Sequence, residues 1–492
     1  MNNFETGKKK FDLGLSFLLE EKYGEAEIEF LNSLKLVPDR ISTIKNLILI
    51  YIKTENNNKL SKLLINLKHI KNKTEIVFAR AYEYYFDKKY EESINLCNSI
   101  INKLDKEFEF ETLGLLARCY REKFYFLESL KIYKKSLFKF KKNFITYSKI
   151  GYLFLEIGKL KKAKIYFEKS RKLKPNDKIN LWNLSFCLLK LKELKNGFVL
   201  YENRWAPIIS SKKKYQNIKE VKKLDEVKGK NLLIWGEQGL GDNLLFSRFI
   251  SGLINFTNKI TLQVGGNIEI FKSLYPEIDI VDGSKIDTNQ FNYQIPICSL
   301  PHILGINKLE DLKLNKTNLI QKIKKQNNFK LKKNKLNIGF SFYGNQKSTY
   351  AKYRSLPLKY FYELLKNKNL QFYNLSKGAR QHHHSDFDFF NIIDLGEKNF
   401  LQLAEILKEL DLIISIDTAL IHLSGTLNLE SYLLLNFNSD WRWFNDYENT
   451  IWYPNVKIIK QDKFNRWEKV IEKMTKIINN KINKKFNERI SK

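Results

Sequence analysis

Two short segments in the second half of the chain carry side chains suited to binding and transforming an anion. GEQGLGD (236–242) places three glycines within six residues, so the backbone can approach a ligand closely. It lacks the GK[ST] ending of a phosphate-binding P-loop and the GxGxxG spacing of a dinucleotide-binding turn. Asp242 ends the segment at a predicted helix start. There a carboxylate either caps backbone amides or faces a cleft as a general base, and the spacing leaves both open. SIDTALIHLSGTL (415–427) follows an apolar run and opens another predicted helix. Asp417 and Thr418 read by default as N-caps. The amides of Thr418, Ala419 and Leu420 would face outward, where orphan N–H groups and the helix dipole suit a diphosphate. His422 lies one turn on, either in reach of that ligand or simply packed or solvated. Adjacent His382, His383 and His384 cannot all face one ion, so they read as a solvated loop and no metal is expected.

Those segments need a scaffold that presents them. Leu232–Trp235, the glycine-rich turn and an apolar-periodic helix from Asn243 form a strand, turn and helix, the opening of a parallel α/β unit. Further strands are expected at 259–264, 278–281 and 292–297. After a basic, Asn-rich connector (about 315–335), a second series is expected at 336–342, 370–376, 411–416 and 431–436. Helices are expected between them, including Pro357–Lys366 and Phe400–Leu410. Two successive blocks of this kind predict two Rossmann-like lobes facing a cleft, with ligands outside the carboxyl ends of the strands.

The first two hundred residues follow a different rule. Gly14, Ile48, Ala81, Ala117, Gly151 and Ser185 are separated by 34, 33, 36, 34 and 34 residues. Ala26, Leu60, Ser93, Ser129, Ala163 and Gly197 repeat those intervals, as do Phe30, Leu64, Cys97, Tyr133, Phe167 and Tyr201. Mostly small residues in the first two series let paired helices approach closely. The third series fills space between repeats, and Pro38 and Pro175 stop second helices. This resembles the tetratricopeptide repeat, a helix-turn-helix unit of about 34 residues that stacks into a concave array.

Composition narrows the partners. With 86 Lys and Arg against 54 Asp and Glu, the net charge is +32. Most of the excess is lysine, spread over nearly every helix and accompanied by Asn, Ile, Phe and Tyr, all encoded by AT-rich codons. Codon bias and solvated faces account for that pattern, so no nucleic-acid partner is expected, although the charge leaves room for peripheral contact with an anionic membrane. Cys97, Cys119, Cys187 and Cys298 lack metal-ligand spacing and read as buried free thiols. No apolar signal core or run of about 18 apolar residues occurs, which predicts a cytoplasmic protein without a transmembrane segment.

In order, GEQGLGD, DTALIHLSGTL and DWRWFNDYENTIWYP (440–454) resemble the marks of heptosyltransferase-like glycosyltransferases of the family 9 type. GFVLYENRW (197–205) resembles the ending of the last repeat in bacterial proteins that fuse such a domain to tetratricopeptide repeats. The resemblance implies a multidomain chain: an all-α repeat array (1–206), a linker (207–230), an acceptor-side lobe (231–335), a nucleotide-sugar lobe (336–480) and a basic tail (481–492). The lobes would form a GT-B fold. The implied activity is metal-independent, inverting transfer of a sugar from a nucleotide-diphosphate sugar to a protein or saccharide, without a cofactor, while the repeat groove recruits a protein or peptide. Asp242 would be the general base, and Arg354, in KYRSLP, would neutralise the leaving diphosphate. Gly239, Gly241, Gly344, Asn345, Asp417, Thr418, Ala419 and His422 would bind the nucleotide-sugar. Trp441, Trp443, Trp452 and Tyr453 would divide between core packing and a sugar-facing wall. Where relatives carry Trp then Gly-Asn-Pro and a nearby His, this chain has Phe342-Tyr343-Gly344-Asn345-Gln346-Lys347. That departure admits the alternative of a catalytically silent scaffold.

Overall fold

The computed structural model describes residues 2–71, 73–205, 214–283, 286–313, 329–344, 354–444 and 448–490, without the side chains of 488–490. Two compact units meet in sequence between Asn176 and Asp177.

The first unit consists of five helical hairpins: α1 (Asn3–Leu19) with α2 (Tyr23–Leu36), α3 (Ile41–Lys53) with α4 (Asn57–Asn66), α5 (Thr74–Phe86) with α6 (Tyr90–Ile100), α7 (Lys106–Glu122) with α8 (Phe126–Lys139), and α9 (Phe144–Glu156) with α10 (Leu160–Leu173). Asn2, Asn56, Asp105 and Asn143 cap helix starts through their side chains. The turn inside each hairpin uses one left-handed residue: Glu21, Glu55, Lys88, Phe124 and Gly158. Only Gly158 takes that conformation without a Cβ penalty.

The helix lengths and register are those of tetratricopeptide-type hairpins. Gly14 and Gly151 let the rings of Phe30 and Phe167 lie against the backbone, since a Cβ at either glycine would sit 2.7 Å from the ring. Phe30 and Phe167 therefore pack on the glycine of their own repeat, not only between repeats as expected. Serines of the second series tie the two helices: Ser93 Oγ donates to the Ala81 carbonyl at 2.7 Å, and Ser129 Oγ to that of Ala117 at 2.8 Å. Leu60, in the degenerate second repeat, is fully buried in the same core.

The second unit opens with a sixth hairpin, α11 (Lys178–Lys190) and α12 (Leu194–Tyr201), and continues into an α/β body. Its first sheet contains β1 (Lys219–Glu220), β2 (Asn231–Trp235), β3 (Lys259–Gln263), β4 (Asp279–Val281) and β5 (Tyr293–Pro296) in the order β1-β5-β2-β3-β4. The second contains β6 (Leu336–Ser341), β7 (Leu370–Asn374), β8 (Ile393–Asp394), β9 (Leu412–Ser415), β10 (Ser431–Leu435) and β11 (Val456–Lys460) in the order β11-β10-β9-β6-β7-β8. Neighbouring strands are parallel throughout. The continuous apolar runs of β2, β9 and β10 suit strands buried on both faces.

Two parallel-sheet blocks are therefore present, with additions the sequence reading lacked. β1 lies within the stretch read as a linker, and β8, β11 and the helix Glu468–Ile490 were not anticipated. That helix runs through residues 481–490, read as a basic tail. The expected helix at 357–366 is a 3-10 turn followed by one α-turn, Tyr362–Leu365. Residues 314–328, most of the expected connector, lie outside the described residues. All four cysteines are buried and none is joined in a disulfide, and among the described residues no helix is long and apolar enough to cross a membrane.

Candidate functional site

Each sheet has one place where its winding reverses, and the chain treats the two differently. In the first sheet the reversal lies between β2 and β5. Glu237, just beyond β2, accepts the Cys298 amide at 3.1 Å and two bonds from Arg204, at 2.8 and 2.6 Å. Arg204 follows the sixth hairpin, and its side chain and that of Glu237 are 2% and 4% exposed. It also donates to Ser299 Oγ at 2.7 Å and Glu202 at 2.9 Å. A buried ion pair thus fills the crevice where a ligand of such a sheet would otherwise sit.

In the second sheet the reversal lies between β6 and β9, and small polar groups line it. Thr418 Oγ1 is 3.4 Å from Ser341 Oγ and 3.2 Å from Ser415 Oγ. Ser376 Oγ accepts the amides of Phe342 and Tyr343 at 3.1 and 3.2 Å. Thr418 occupies the N-cap position of the helix Ala419–Thr426 with extended backbone, but its hydroxyl makes no capping bond. Gly344 donates its N–H to Ser355 Oγ at 3.2 Å, and a Cβ there would lie 3.2 Å from Arg354 Nε. The missing side chain lets Arg354 fold over the turn. Asn345 lies outside the described residues.

Asp417 sits at the end of β9 among charged neighbours. Burial and the Asp440 carboxylate push its acid up to about 6, with Arg354, the Trp443 indole and Arg442 pulling the other way. The residue is still reached by solvent, so it lies in a cleft and not in the core.

Across from it, the helix Leu240–Phe246 carries Asp242 in its first turn, where it does what a capping carboxylate does: Oδ2 accepts the Gly239 amide at 3.1 Å. Oδ1 is paired with Arg442, which lies in the 3-10 turn Trp441–Trp443 that follows β10. Arg442 also donates to Asp440 at 2.7 Å, and its side chain is 8% exposed. The Tyr201 hydroxyl accepts from Gln238 at 3.0 Å and lies 3.4 Å from Arg442. Lys190, buried on the sixth hairpin, donates to Asn438 at 2.8 Å, and burial lowers its pKa to about 8. Residues from the hairpin, the first sheet and the second sheet therefore converge on one guanidinium.

Close helix contact fixes the two blocks beside this network. A Cβ on Gly241 would lie 2.8 Å from His422 Cδ2 and 3.1 Å from Ala419 Cα. His422 is buried, stacks on Trp443 with centroids 5.1 Å apart, and has its Nδ1 3.0 Å from the Tyr453 hydroxyl. Burial, Arg442 and Arg248 lower its pKa to about 3, so it is neutral. Trp441, Trp443, Trp452 and Tyr453 are at most 1% exposed. His382 stacks on Tyr343 at 5.2 Å, so the histidine run packs against the turn after β6.

The structure thus gathers Asp417, Thr418, Gly344 and Arg354 at one strand end, and Gly239, Gly241 and Asp242 opposite Ala419 and His422. Arg442, Asp440 and Lys190 were not singled out in the sequence, and Tyr201 was read only as a packing residue of the last repeat. An arginine flanked by two tryptophans in DWRW was the available signal, since such a guanidinium must be buried and therefore paired.

No protein-family model matches the chain, and no curated protein matches it. Solved structures similar to it include PilF of Pseudomonas aeruginosa, at 11% identity and TM-score 0.33, covering 43% of this chain and 96% of that one. A tetratricopeptide repeat protein from Parabacteroides merdae has 16% identity and TM-score 0.30, covering 41% and 80%. PilW, described as a widely conserved type IV pilus biogenesis factor, has 15% identity and TM-score 0.35, covering 42% and 95%.

Proposed function

We propose that the α/β body is a GT-B-type glycosyltransferase that moves a sugar from a nucleotide-diphosphate sugar to a protein or saccharide, and that the helical hairpins recruit a protein partner. The observation that carries this reading is the polar strand-end crevice of the second sheet, with Arg354 over its turn, opposite a carboxylate held at a helix start. The diphosphate would lie against Thr418, Ala419 and Gly344, with Arg354 neutralising charge as it leaves. Asp242 would accept the proton of the acceptor hydroxyl. A carboxylate has about four lone-pair sites, so the Gly239 amide and Arg442 leave room for a hydroxyl. Arg442 would fix that carboxylate's orientation.

A second reading, a silent scaffold, draws on the same ion pair: a base already bonded to an arginine serves equally as a strut between the two sheets. A thermal-shift panel of nucleotide-sugars separates them. A donor at 100 times its Kd should stabilise the protein by about 2.7 kcal/mol. No stabilisation by any donor would leave the scaffold reading standing.

A further inference from the structure

We propose that a pocket on the helical array receives an acidic side chain of a protein partner, anchored on Arg118 and admitted by Gly114. The proposal rests on the recruiting role given to the hairpins above and does not depend on sugar transfer.

First helices of four successive hairpins line this pocket. Lys53 comes from α3, Tyr82 from α5, Glu111, Gly114 and Arg118 from α7, and Lys149 from α9. Its volume is about 190 Å³, the share of about six waters in the liquid. That is room for a side chain, not for a folded element.

Gly114 opens the pocket. It sits inside α7, where glycine weakens a helix relative to alanine. A Cβ there would meet nothing within 4 Å, so no packing demand accounts for the missing side chain. Gly14 and Gly151, also on first helices, instead seat phenylalanine rings.

The charges around the opening select the occupant. The Arg118 guanidinium lies 5.1 Å from the ring centres of both Tyr82 and Tyr85 and donates to the Tyr82 hydroxyl at 2.5 Å. Its other N–H groups have no acceptor among the described residues, and neither Arg118 nor Lys53 has a carboxylate within ion-pair distance there. Two rings thus hold a guanidinium fork in place for a carboxylate from outside. Lys53, Arg118 and Lys149 against Glu111 leave the lining net positive. Glu111 would repel the phosphates of a nucleic acid, but it can accept the amide N–H groups that a peptide brings with its acidic side chain.

The net charge of +32 attracts any anion, so a steric variant and a charge control separate the pocket from that background. The whole chain is titrated, by fluorescence anisotropy at physiological salt, into a fluorescein-labelled, C-terminally amidated peptide of three Gly-Ser-Glu-Phe repeats. The same peptide with Gln for Glu is the comparison, and should bind about tenfold more weakly. Gly114→Leu fills the pocket without changing charge. It and Arg118→Gln should each weaken the acidic peptide by about tenfold or more. Lys53→Gln, at the exposed rim, should weaken it several-fold. Lys172→Gln, exposed on α10, removes the same charge and should leave affinity unchanged. Far-ultraviolet circular dichroism melting, matched to wild type, establishes that each variant is folded.

Acidic-peptide binding that survives Gly114→Leu, Arg118→Gln and Lys53→Gln, or that Lys172→Gln weakens equally, would overturn the proposal while leaving a peptide-binding array. Equal affinity for the two peptides would overturn the acidic preference and leave the recruiting role standing. Binding of neither peptide would overturn the proposal and count against that role as well. A thymidine dodecamer that binds tightly and is lost in the same variants would assign the pocket to nucleic acid and overturn the proposal.

Discussion

Replacing Arg204 by methionine should destabilise the second unit by about 3–5 kcal/mol, because it strands Glu237 as a buried carboxylate. Glu237 is 4% exposed and receives two of its bonds from Arg204; the Cys298 amide at 3.1 Å is its other donor. Arg204→Met with Glu237→Leu removes both charges and fills similar volume, so the double variant should recover most of the loss, a coupling of about 3 kcal/mol. Glu202, more exposed on its side chain at 29%, can return to water when Arg204 goes. Urea unfolding followed by tryptophan fluorescence is the assay. All seven tryptophans, from Trp182 to Trp467, belong to the second unit, so the signal is blind to the helical array. Trp205 and Trp235, 5.6 Å apart, sit beside the pair. A loss below about 1 kcal/mol for Arg204→Met, or a double variant as unstable as the sum of the singles, would refute the claim that this pair closes the first sheet's crevice.

Other substitutions probe the remaining structure. Ala163→Leu should cost about 1–3 kcal/mol by overpacking a fully buried hairpin position, read as a lower midpoint in far-ultraviolet circular dichroism. Gly114→Ala, mid-helix with open space where its Cβ would go, should stabilise by about 0.5–1 kcal/mol. Two opposed groups shape acid stability. Asp417, raised to about 6, favours the fold at low pH and loses that contribution as pH rises from about 4 through 6. His422, lowered to about 3, favours it at high pH and loses that contribution as pH falls from about 6.5 towards 3. Asp417→Asn should therefore lose more stability than wild type between pH 6 and 4.5, and a parallel or shallower loss in urea midpoints would count against these assignments. Random duplex DNA should bind weakly at physiological salt and release as salt rises; sub-micromolar, sequence-dependent affinity would contradict the codon-bias account of the lysines.

What the sequence made legible follows from how directly a residue type reports its surroundings. The hairpins were readable because each repeat needs the same small and large residues at the same places, down to Gly151 seating Phe167. Strands such as LLIW and SYLLL announced themselves by unbroken apolar runs. β1 and β8 did not, since two residues at a sheet edge carry no pattern, and the amphipathic run of Glu468–Ile490 is diluted by lysine and asparagine. At the candidate site, glycine-rich turns and strand-end acids pointed to segments that the structure places between a strand end and a helix start. The partner of Asp242 was hidden: Arg442 lies 200 positions away, and only the tertiary packing of Trp441 and Trp443 brings it across. His422 shows the converse. Its place on the helix left a ligand contact and simple packing equally open, and Gly241 lets the neighbouring helix close over it.

The central claim is that this cleft transfers a sugar, and single-turnover transfer measured beside calorimetric donor binding tests it most directly. The wild type should release nucleoside diphosphate from one nucleotide-sugar in step with glycosylation of an acceptor. Asp242→Asn should lower transfer by about 10²–10⁴-fold while binding donor nearly as well, and Arg354→Ala should weaken both. Equal transfer by Asp242→Asn and wild type would remove Asp242 from the chemistry. Donor binding with no transfer by the wild type, across a broad panel of proteins and saccharides, would contradict the enzyme and leave a scaffold.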